Sequence, residues 1–142
     1  MIFTKYRDQA NEFLKQRKFQ NALEFYEKAL KVTRKASTLD NIAVYVNKIA
    51  CLLSLEKLER VVAESNDAIR LIRNFKNKST NIKPEEKERL KQMDLRVAVR
   101  RGNALGKLQR TSEAIAEYER ALKIDPNNAS VLKDLEILRK AK

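Results

Sequence analysis

The segment FQNALEFYEKALKV (19–32) recurs in altered form twice more in the chain, as LERVVAESNDAIRL (58–71) and as TSEAIAEYERALKI (111–124). In each copy a small residue is followed four residues later by Tyr or Ser, and three residues after that by Ala. Small residues at helical spacing let one helix pack closely against the next, so three similar helices are predicted. The repeated positions are Ala22, Tyr26 and Ala29, then Val61, Ser65 and Ala68, then Ala114, Tyr118 and Ala121.

A further helical stretch precedes each copy: YRDQANEFLKQ, YVNKIACLLSL and VAVRRGNALGKL. A short turn separates each stretch from its copy, which predicts three helix–turn–helix pairs. After the third pair, DPNN (125–128) contains the helix breaker Pro126 and asparagines suited to cap a following helix. The final stretch, ASVLKDLEILRKAK, is predicted to form an amphipathic helix whose polar outer face ends the stack. The sequence therefore predicts an all-α fold of seven helices.

The three copies are unevenly spaced, because their central alanines are 39 and then 53 residues apart. The long second interval contains an insertion at about residues 73–94. This insertion is predicted to lengthen the flanking helices around the polar loop KNKSTNIK (76–83). Pro84 suits the first turn of the next helix, and the carboxylates of Glu85 and Glu86 suit its positive end.

Composition narrows the class of protein. The chain has 142 residues, of which 43% are apolar and only 2 are Gly and 2 Pro, so it predicts one helical domain rather than a sheet protein. One cysteine and no histidine exclude a disulfide framework and argue against a structural zinc site. Cys51 lies in the apolar run IACLLSL and is expected to be a small buried hydrophobe. No stretch has the length of a membrane span and the start lacks a signal-peptide core, so a cytoplasmic location without membrane contact is expected.

The charge balance indicates an anionic partner. Lys and Arg number 31 against 19 Asp and Glu, giving a formal charge of +12. This surplus favours encounters with nucleic acid, lipid headgroups or acidic peptides, and does not choose among them. Without histidine, a Gly-rich phosphate loop or a nucleophile paired with a base, the chain is not expected to be an enzyme. No catalytic residue, metal site or cofactor is predicted.

The repeat pattern resembles the tetratricopeptide repeat (TPR), a unit of about 34 residues with small residues at the helix crossings and an aromatic residue in the second helix. The resemblance covers nearly the whole chain. It implies a TPR superhelix in which the first helix of each repeat lines a concave groove. The predicted single domain at 1–142 has repeats at about 3–36, 38–73 and 84–126 and a capping helix at about 128–141.

Five polar residues are expected to face this groove. Arg7 and Asn11 lie one turn apart on the first helix. Asn47 and Arg100 each precede the crossing residue of their own repeat by 14 residues, and Arg96 lies one turn before Arg100. Like charges at that spacing repel unless an anion neutralises them. Because Arg forks and carboxamides donate hydrogen bonds to carboxylates, the set predicts a site for a chain terminus whose last residue is acidic.

These positions match the two-carboxylate clamp of the TPR co-chaperones, which hold the C-terminal Glu-Glu-Val-Asp tail of the ninety- and seventy-kilodalton heat-shock chaperones. The family pattern is Lys, Asn, Asn, Lys, Arg, so Arg7 and Arg96 replace two lysines. The resemblance implies that Arg7, Asn11 and Asn47 hold the terminal carboxylate. It implies that Arg96 and Arg100 address a side-chain carboxylate and a peptide carbonyl.

Other residues receive less specific expectations. Leu14 and Ala50, one turn further along the lining helices, are candidates for apolar contact with upstream residues of the peptide. Arg101 is expected to be ordinary surface. Four aromatic residues are expected in the core: Phe13, Phe25, Tyr26 and Tyr118.

Two functions compete on this sequence. The favoured hypothesis is a co-chaperone or adaptor domain that docks on a chaperone tail. The stretch from VRRGNAL to ALKIDPNN and the long insertion are similar to the C-terminal repeat domain of cytoplasmic assembly factors for axonemal dyneins, which implies a role in the assembly of dyneins or other complexes. The alternative is a basic scaffold for another acidic partner or nucleic acid, although the groove lacks the exposed aromatic stripe that stacks bases. Tail preference and oligomeric state are left open.

Overall fold

A computed structural model describes residues 1–141 of the chain. Lys142, the last residue of the predicted domain, lies outside the described residues. Over residues 1–141 the prediction of an all-α fold with seven helices is confirmed. The helices are α1 (Ile2–Lys15), α2 (Phe19–Thr33), α3 (Leu39–Ser54), α4 (Leu58–Lys78), α5 (Pro84–Lys107), α6 (Thr111–Ile124) and α7 (Ala129–Ala141).

The helices stack in chain order. Each helix packs against the next one along the chain, and α3 also packs directly against α5. The first helices of the second and third pairs therefore form one continuous wall. This wall carries most of the side chains that the sequence places in the groove.

Small residues make the close helix crossings, as the repeat pattern predicts. The crossing residues Ala22, Val61 and Ala114 have no exposed surface, and the alanines that close each copy are equally buried. Gly102 extends the same principle to the third pair, because a Cβ atom there would lie 3.0 Å from Cε1 of Tyr118. The ring of Tyr118 can therefore lie directly on the backbone of α5.

The three turns within the helix pairs share one backbone geometry. Their central residues, Arg17, Glu56 and Gln109, have φ angles of 60°, 58° and 61°, in the left-handed region. In the first turn the N–H of Lys18 donates to the carbonyl of Phe13 at 2.9 Å, and the same bond closes the other two turns. This is the Schellman arrangement that ends a helix, built here without the glycine that usually occupies the left-handed position.

The insertion is largely absorbed by two long helices, as predicted. Helix α4 continues to Lys78 and α5 begins at Pro84, so only residues 79–83 connect them. The first three residues of the predicted polar loop are helical. The carboxylate of Glu86 accepts a hydrogen bond from the backbone N–H of Lys83 at 3.1 Å, which caps the start of α5.

The last helix closes the stack. The side chain of Asn128 accepts a hydrogen bond from the N–H of Val131 at 3.1 Å, which confirms the predicted cap. Val131 and Leu135 are buried on the inner face of α7. The expectation of a polar outer face is wrong in part, because Leu132 and Ile137 are exposed there.

The core confirms the expected burial of Cys51 and the aromatic residues. Cys51 is fully buried, and burial raises the pKa of its thiol to about 11. Tyr26 and Tyr118 are buried, while Phe13 and Phe25 stack on each other with ring centroids 5.5 Å apart and pack against the core. No helix within residues 1–141 has both the length and the apolar surface to cross a membrane.

The expectation that Arg101 is ordinary surface is wrong. Its guanidinium is mostly buried and forms an ion pair with the carboxylate of Glu117, which is 5% exposed. The other oxygen of Glu117 accepts a hydrogen bond from Arg120, whose second nitrogen reaches Asp94 at 2.7 Å. Arg101 therefore belongs to a charge network that joins α5 to α6.

Candidate peptide-binding groove

Two asparagines from different helices meet at the centre of the groove. The Asn11 Oδ1 atom accepts a hydrogen bond from the Tyr26 hydroxyl at 2.5 Å and a longer one from Asn47 Nδ2 at 3.4 Å. Burial raises the pKa of Tyr26 to about 12, so its hydroxyl stays a donor at neutral pH. Because the Asn11 Oδ1 atom already accepts these two hydrogen bonds, the Nδ2 group of Asn11 is the part of the side chain that can donate to a ligand.

Arg7 lies one turn before Asn11 on α1 and is partly buried. Its Nε atom is 3.3 Å from Asp8 Oδ1, its Nη1 atom is 4.0 Å from Asp40 Oδ1, and its Cζ atom lies 5.6 Å from the centroid of the Phe3 ring. Both aspartates are exposed, so these ion pairs are weak and a ligand carboxylate can displace them. The guanidinium is thus held near the groove without being saturated.

Arg100 and Arg96 differ in their surroundings although they share one face of α5. The Arg100 Nη1 atom donates to the backbone carbonyl of Val46 on α3 at 2.8 Å. Burial, together with the charge of Arg96, lowers the pKa of Arg100. Arg96 itself is exposed. An anion bound beside this pair would offset both the cost of desolvating Arg100 and its repulsion by Arg96.

Two adjoining cavities form the groove. One has a volume of about 330 Å³ and the other about 460 Å³, and they share Ala43, Asn47 and Arg89. The smaller cavity is lined by Arg7, Asp8, Asn11, Ala43, Val44, Asn47 and Arg89. The larger cavity is lined by Ala43, Val46, Asn47, Glu85, Glu88, Arg89, Gln92, Met93 and Arg96.

The structure brings most of the predicted clamp residues together. Four of the five line the two cavities, namely Arg7, Asn11, Asn47 and Arg96. Arg100 lines neither cavity and donates a hydrogen bond to the carbonyl of Val46. Neither Leu14 nor Ala50 lines either cavity; Leu14 packs against the core, and Ala50 is partly buried. The peptide contacts of these two residues stay predictions.

Sequence reasoning missed the groove residues that come from the insertion. Arg89 lines both cavities, and Glu85, Glu88 and Gln92 line the larger one. The signal was present, because Arg89 precedes Arg96 by seven residues and so lies on the same face of a continuous helix. Within residues 1–141 no cluster of three or more cysteine, aspartate or glutamate side chains could hold a metal ion.

Comparison with known proteins defines the class. Residues 102–135 match a family model described as TPR repeat, and residues 8–35 match one described as tetratricopeptide repeat. The chain therefore carries tetratricopeptide repeats, and its fold is the TPR superhelix that the repeat pattern implies. This fold is a protein-interaction module and not a known enzyme fold.

Solved structures share the fold. The TPR domain of Arabidopsis OM64 superposes with a TM-score of 0.75 at 21% identity, covering 99% of this chain and 97% of that one. The first TPR domain of Spaghetti (RPAP3), bound to the HSP90 peptide SRMEEVD, gives 0.75 at 23% identity, covering 99% and 92%. The second TPR domain of human RPAP3, in complex with the HSP70 peptide SGPTIEEVD, gives 0.70 at 20% identity, covering 94% and 92%.

Sequence relatives include the dynein assembly factors. Dynein axonemal assembly factor 4 of Rattus norvegicus is 29% identical over 133 residues, which is 94% of this chain and 28% of that protein. A DnaJ homolog subfamily C member 7 homolog of Dictyostelium discoideum is 20% identical over 129 residues, covering 91% of this chain and 20% of that protein. The predicted similarity to dynein assembly factors is confirmed, and the chain spans less than a third of these relatives' length.

Proposed function

We propose that this domain is a co-chaperone or adaptor module that binds the acidic C-terminal Glu-Glu-Val-Asp tail of cytosolic heat-shock chaperones. The contact between Asn11 and Asn47, beside Arg7, carries the proposal. It places two amides and one guanidinium from α1 and α3 around one cavity. Such a cavity suits a carboxylate, which accepts hydrogen bonds from all three groups.

The remaining cations would hold the rest of the tail. In this proposal Arg96 pairs with a side-chain carboxylate in the larger cavity. Arg100 uses one nitrogen for the carbonyl of Val46 and offers its other donors to a peptide carbonyl. Each charge-assisted hydrogen bond contributes about 1.5–3 kcal/mol, so four or five of them offset the ordering of an extended tail and leave micromolar affinity, about −8 kcal/mol.

The proposed cellular role follows from the relatives. The 29% identity to dynein axonemal assembly factor 4 supports work in the assembly of dyneins or other complexes, in the cytoplasm. In that role the groove would hold the chaperone while another surface or another part of the parent protein engages the client. The formal charge of +12 supports a second candidate, a basic scaffold for nucleic acid or another acidic partner.

A titration with labelled ligands separates the two candidates. The domain is titrated with the peptide SRMEEVD as the free acid, with its C-terminal amide and with a single-stranded oligonucleotide, and binding is followed by fluorescence anisotropy. The tail proposal expects micromolar binding of the free acid and a loss of tenfold or more for the amide, because the amide lacks the terminal charge. It expects weak oligonucleotide binding that falls steeply with salt. Equal binding of acid and amide would overturn the proposal.

A further inference from the structure

The larger cavity has an acidic far edge built by the insertion. Glu85 and Glu88 line it from the first two turns of α5. Glu88 accepts a hydrogen bond from the side chain of Gln92 at 2.8 Å, and within residues 1–141 neither glutamate lies in ion-pair distance of a Lys or Arg. Two carboxylates with no cationic partner therefore face a cavity of about 460 Å³.

Charge changes sign along the face of α5 that lines the larger cavity. From the start of α5 the cavity is lined first by Glu85 and Glu88, then by Arg89, and finally by Arg96. A peptide whose C-terminus lies at the Arg96 end complements this lining if it carries charges of the opposite sign, with a cation upstream and acids near its C-terminus. The HSP90 peptide SRMEEVD has this order, since its arginine lies five residues before its last residue. The HSP70 peptide SGPTIEEVD has the acids but no cation.

Distances along α5 fit a cation about five residues upstream of the side-chain carboxylate that Arg96 is proposed to hold. Glu88 lies eight residues before Arg96 and Glu85 lies eleven residues before it, which corresponds to about 12 and 16 Å along the helix axis. An extended peptide advances about 3.3 Å per residue, so five residues span about 16 Å. Because the two cavities share Asn47 and Arg89, a tail anchored in the smaller one continues into the larger one.

We infer that Glu85 and Glu88 form a selectivity wall that binds a basic residue about five positions upstream of the acidic tip. The groove therefore prefers a tail of the SRMEEVD type over one without that cation. This inference rests on the proposed function, since it assumes that the tail's carboxylate is held by Asn11 and Asn47.

A matched control variant separates peptide binding by Glu85 and Glu88 from a purely structural role of these two glutamates. Acidic residues in a first helical turn stabilise the helix through its dipole, and Glu85 occupies such a position. Glu86 lies in the same turn and caps Lys83, but it does not line the cavity. Glu24, on α2, is exposed and also lies outside both cavities. The double variant Glu24→Gln/Glu86→Gln thus removes the same total charge as Glu85→Gln/Glu88→Gln.

The test measures the binding of three peptides by anisotropy: SRMEEVD, the same peptide with Ala in place of Arg, and the C-terminal amide of SRMEEVD. The unchanged domain is expected to bind the arginine peptide about threefold to tenfold more tightly than the alanine peptide. Glu85→Gln/Glu88→Gln is expected to abolish this preference while still binding both free acids. The control variant is expected to keep it, and thermal melting checks that each variant is folded.

Two results would overturn the inference, and they differ from a failure of the proposed function. Equal affinity of the unchanged domain for the arginine and alanine peptides excludes a selective wall while leaving the clamp intact. A preference that survives in Glu85→Gln/Glu88→Gln assigns selectivity to other residues. If instead the amide binds as well as the free acid, the clamp itself fails and this inference fails with it.

Discussion

The guanidinium of Arg100 donates a hydrogen bond to the backbone carbonyl of Val46 across 2.8 Å, joining α5 to α3. The two residues are 54 positions apart in the chain. This contact fixes the orientation of a largely enclosed cation before any ligand arrives. A pre-oriented donor loses less conformational freedom on binding, which raises affinity.

Arg100→Lys is expected to weaken binding of the free-acid peptide by about tenfold or more, because an ammonium group cannot donate to Val46 and to the ligand with the geometry of a planar fork. Arg96→Lys, at the exposed position, is expected to change affinity by about threefold or less. Peptide titration of both variants checks the difference. Equal losses in the two variants would show that the link to Val46 does not contribute.

Asn47→Ala is expected to reduce affinity for the free-acid tail by about tenfold to a hundredfold, because one hydrogen bond to a carboxylate is worth about 1.5–3 kcal/mol. Stability should change little, since the bond from Asn47 to Asn11 is long, at 3.4 Å. Asn103→Ala is the matched control, because Asn103 lines neither groove cavity. Calorimetric titration with the free-acid peptide measures the affinity of both variants. A similar loss of affinity in the control would contradict a direct contact between Asn47 and the tail.

Glu117→Ala is expected to lower the free energy of unfolding by about 3 kcal/mol, because it leaves the enclosed guanidinium of Arg101 without its partner. Glu119→Ala removes a carboxylate from the same helix but breaks only the exposed pair with Arg139, so its effect should stay below about 1 kcal/mol. Urea denaturation followed by circular dichroism measures both. Equal effects would show that the network adds no stability.

Much of the fold could be predicted because it depends on local pattern. The crossing residues, the cap at Asn128 and the helix start at Pro84 are all decided by residues within one or two turns. Arg101 was misassigned for a different reason. Its environment depends on the rotation of α5 against α6, which brings Glu117 opposite it from 16 positions away. A helix period alone does not contain that rotation.

The placement of some candidate site residues followed from the same repeat pattern. Asn11 and Asn47 follow from counting back from the crossing residues, and their contact agrees with that count. The carbonyl partner of Arg100 did not follow, since every residue has a backbone carbonyl and only packing selects one. Glu85 and Arg89 were missed although the predicted helix start at Pro84 already placed them on α5, because their place in the groove depends on how α5 packs against α3.

Stability is expected to fall at alkaline pH because burial raises the pKa of Tyr26, Tyr45 and Tyr118 to about 12 each. Below about pH 10 these phenols are protonated in both states, so their contribution is complete. Between about pH 10 and 12 the unfolded chain ionises first, which lowers stability by about 1.4 kcal/mol per pH unit for each tyrosine.

Urea titrations from about pH 9 to about pH 11 test this slope. Tyr26→Phe should make the dependence of the unfolding free energy on pH shallower by about 1.4 kcal/mol per pH unit, the contribution of one tyrosine. Ultraviolet absorbance of phenolate in the folded protein gives an independent readout. Ionisation of the three buried phenols at about pH 10, without unfolding, would contradict the expectation.

Gln109→Gly is expected to stabilise the domain by about 0.5 kcal/mol. Gln109 has a φ angle of 61°, a conformation that costs a residue with a Cβ atom about 1–2 kcal/mol and costs glycine almost nothing. The greater freedom of glycine in the unfolded chain offsets about 0.5–1 kcal/mol of that gain. Gln109→Ala is the control, because alanine retains the Cβ atom and should give no gain. Urea midpoints of the two variants measure the difference, and equal midpoints would show that the left-handed turn is not strained.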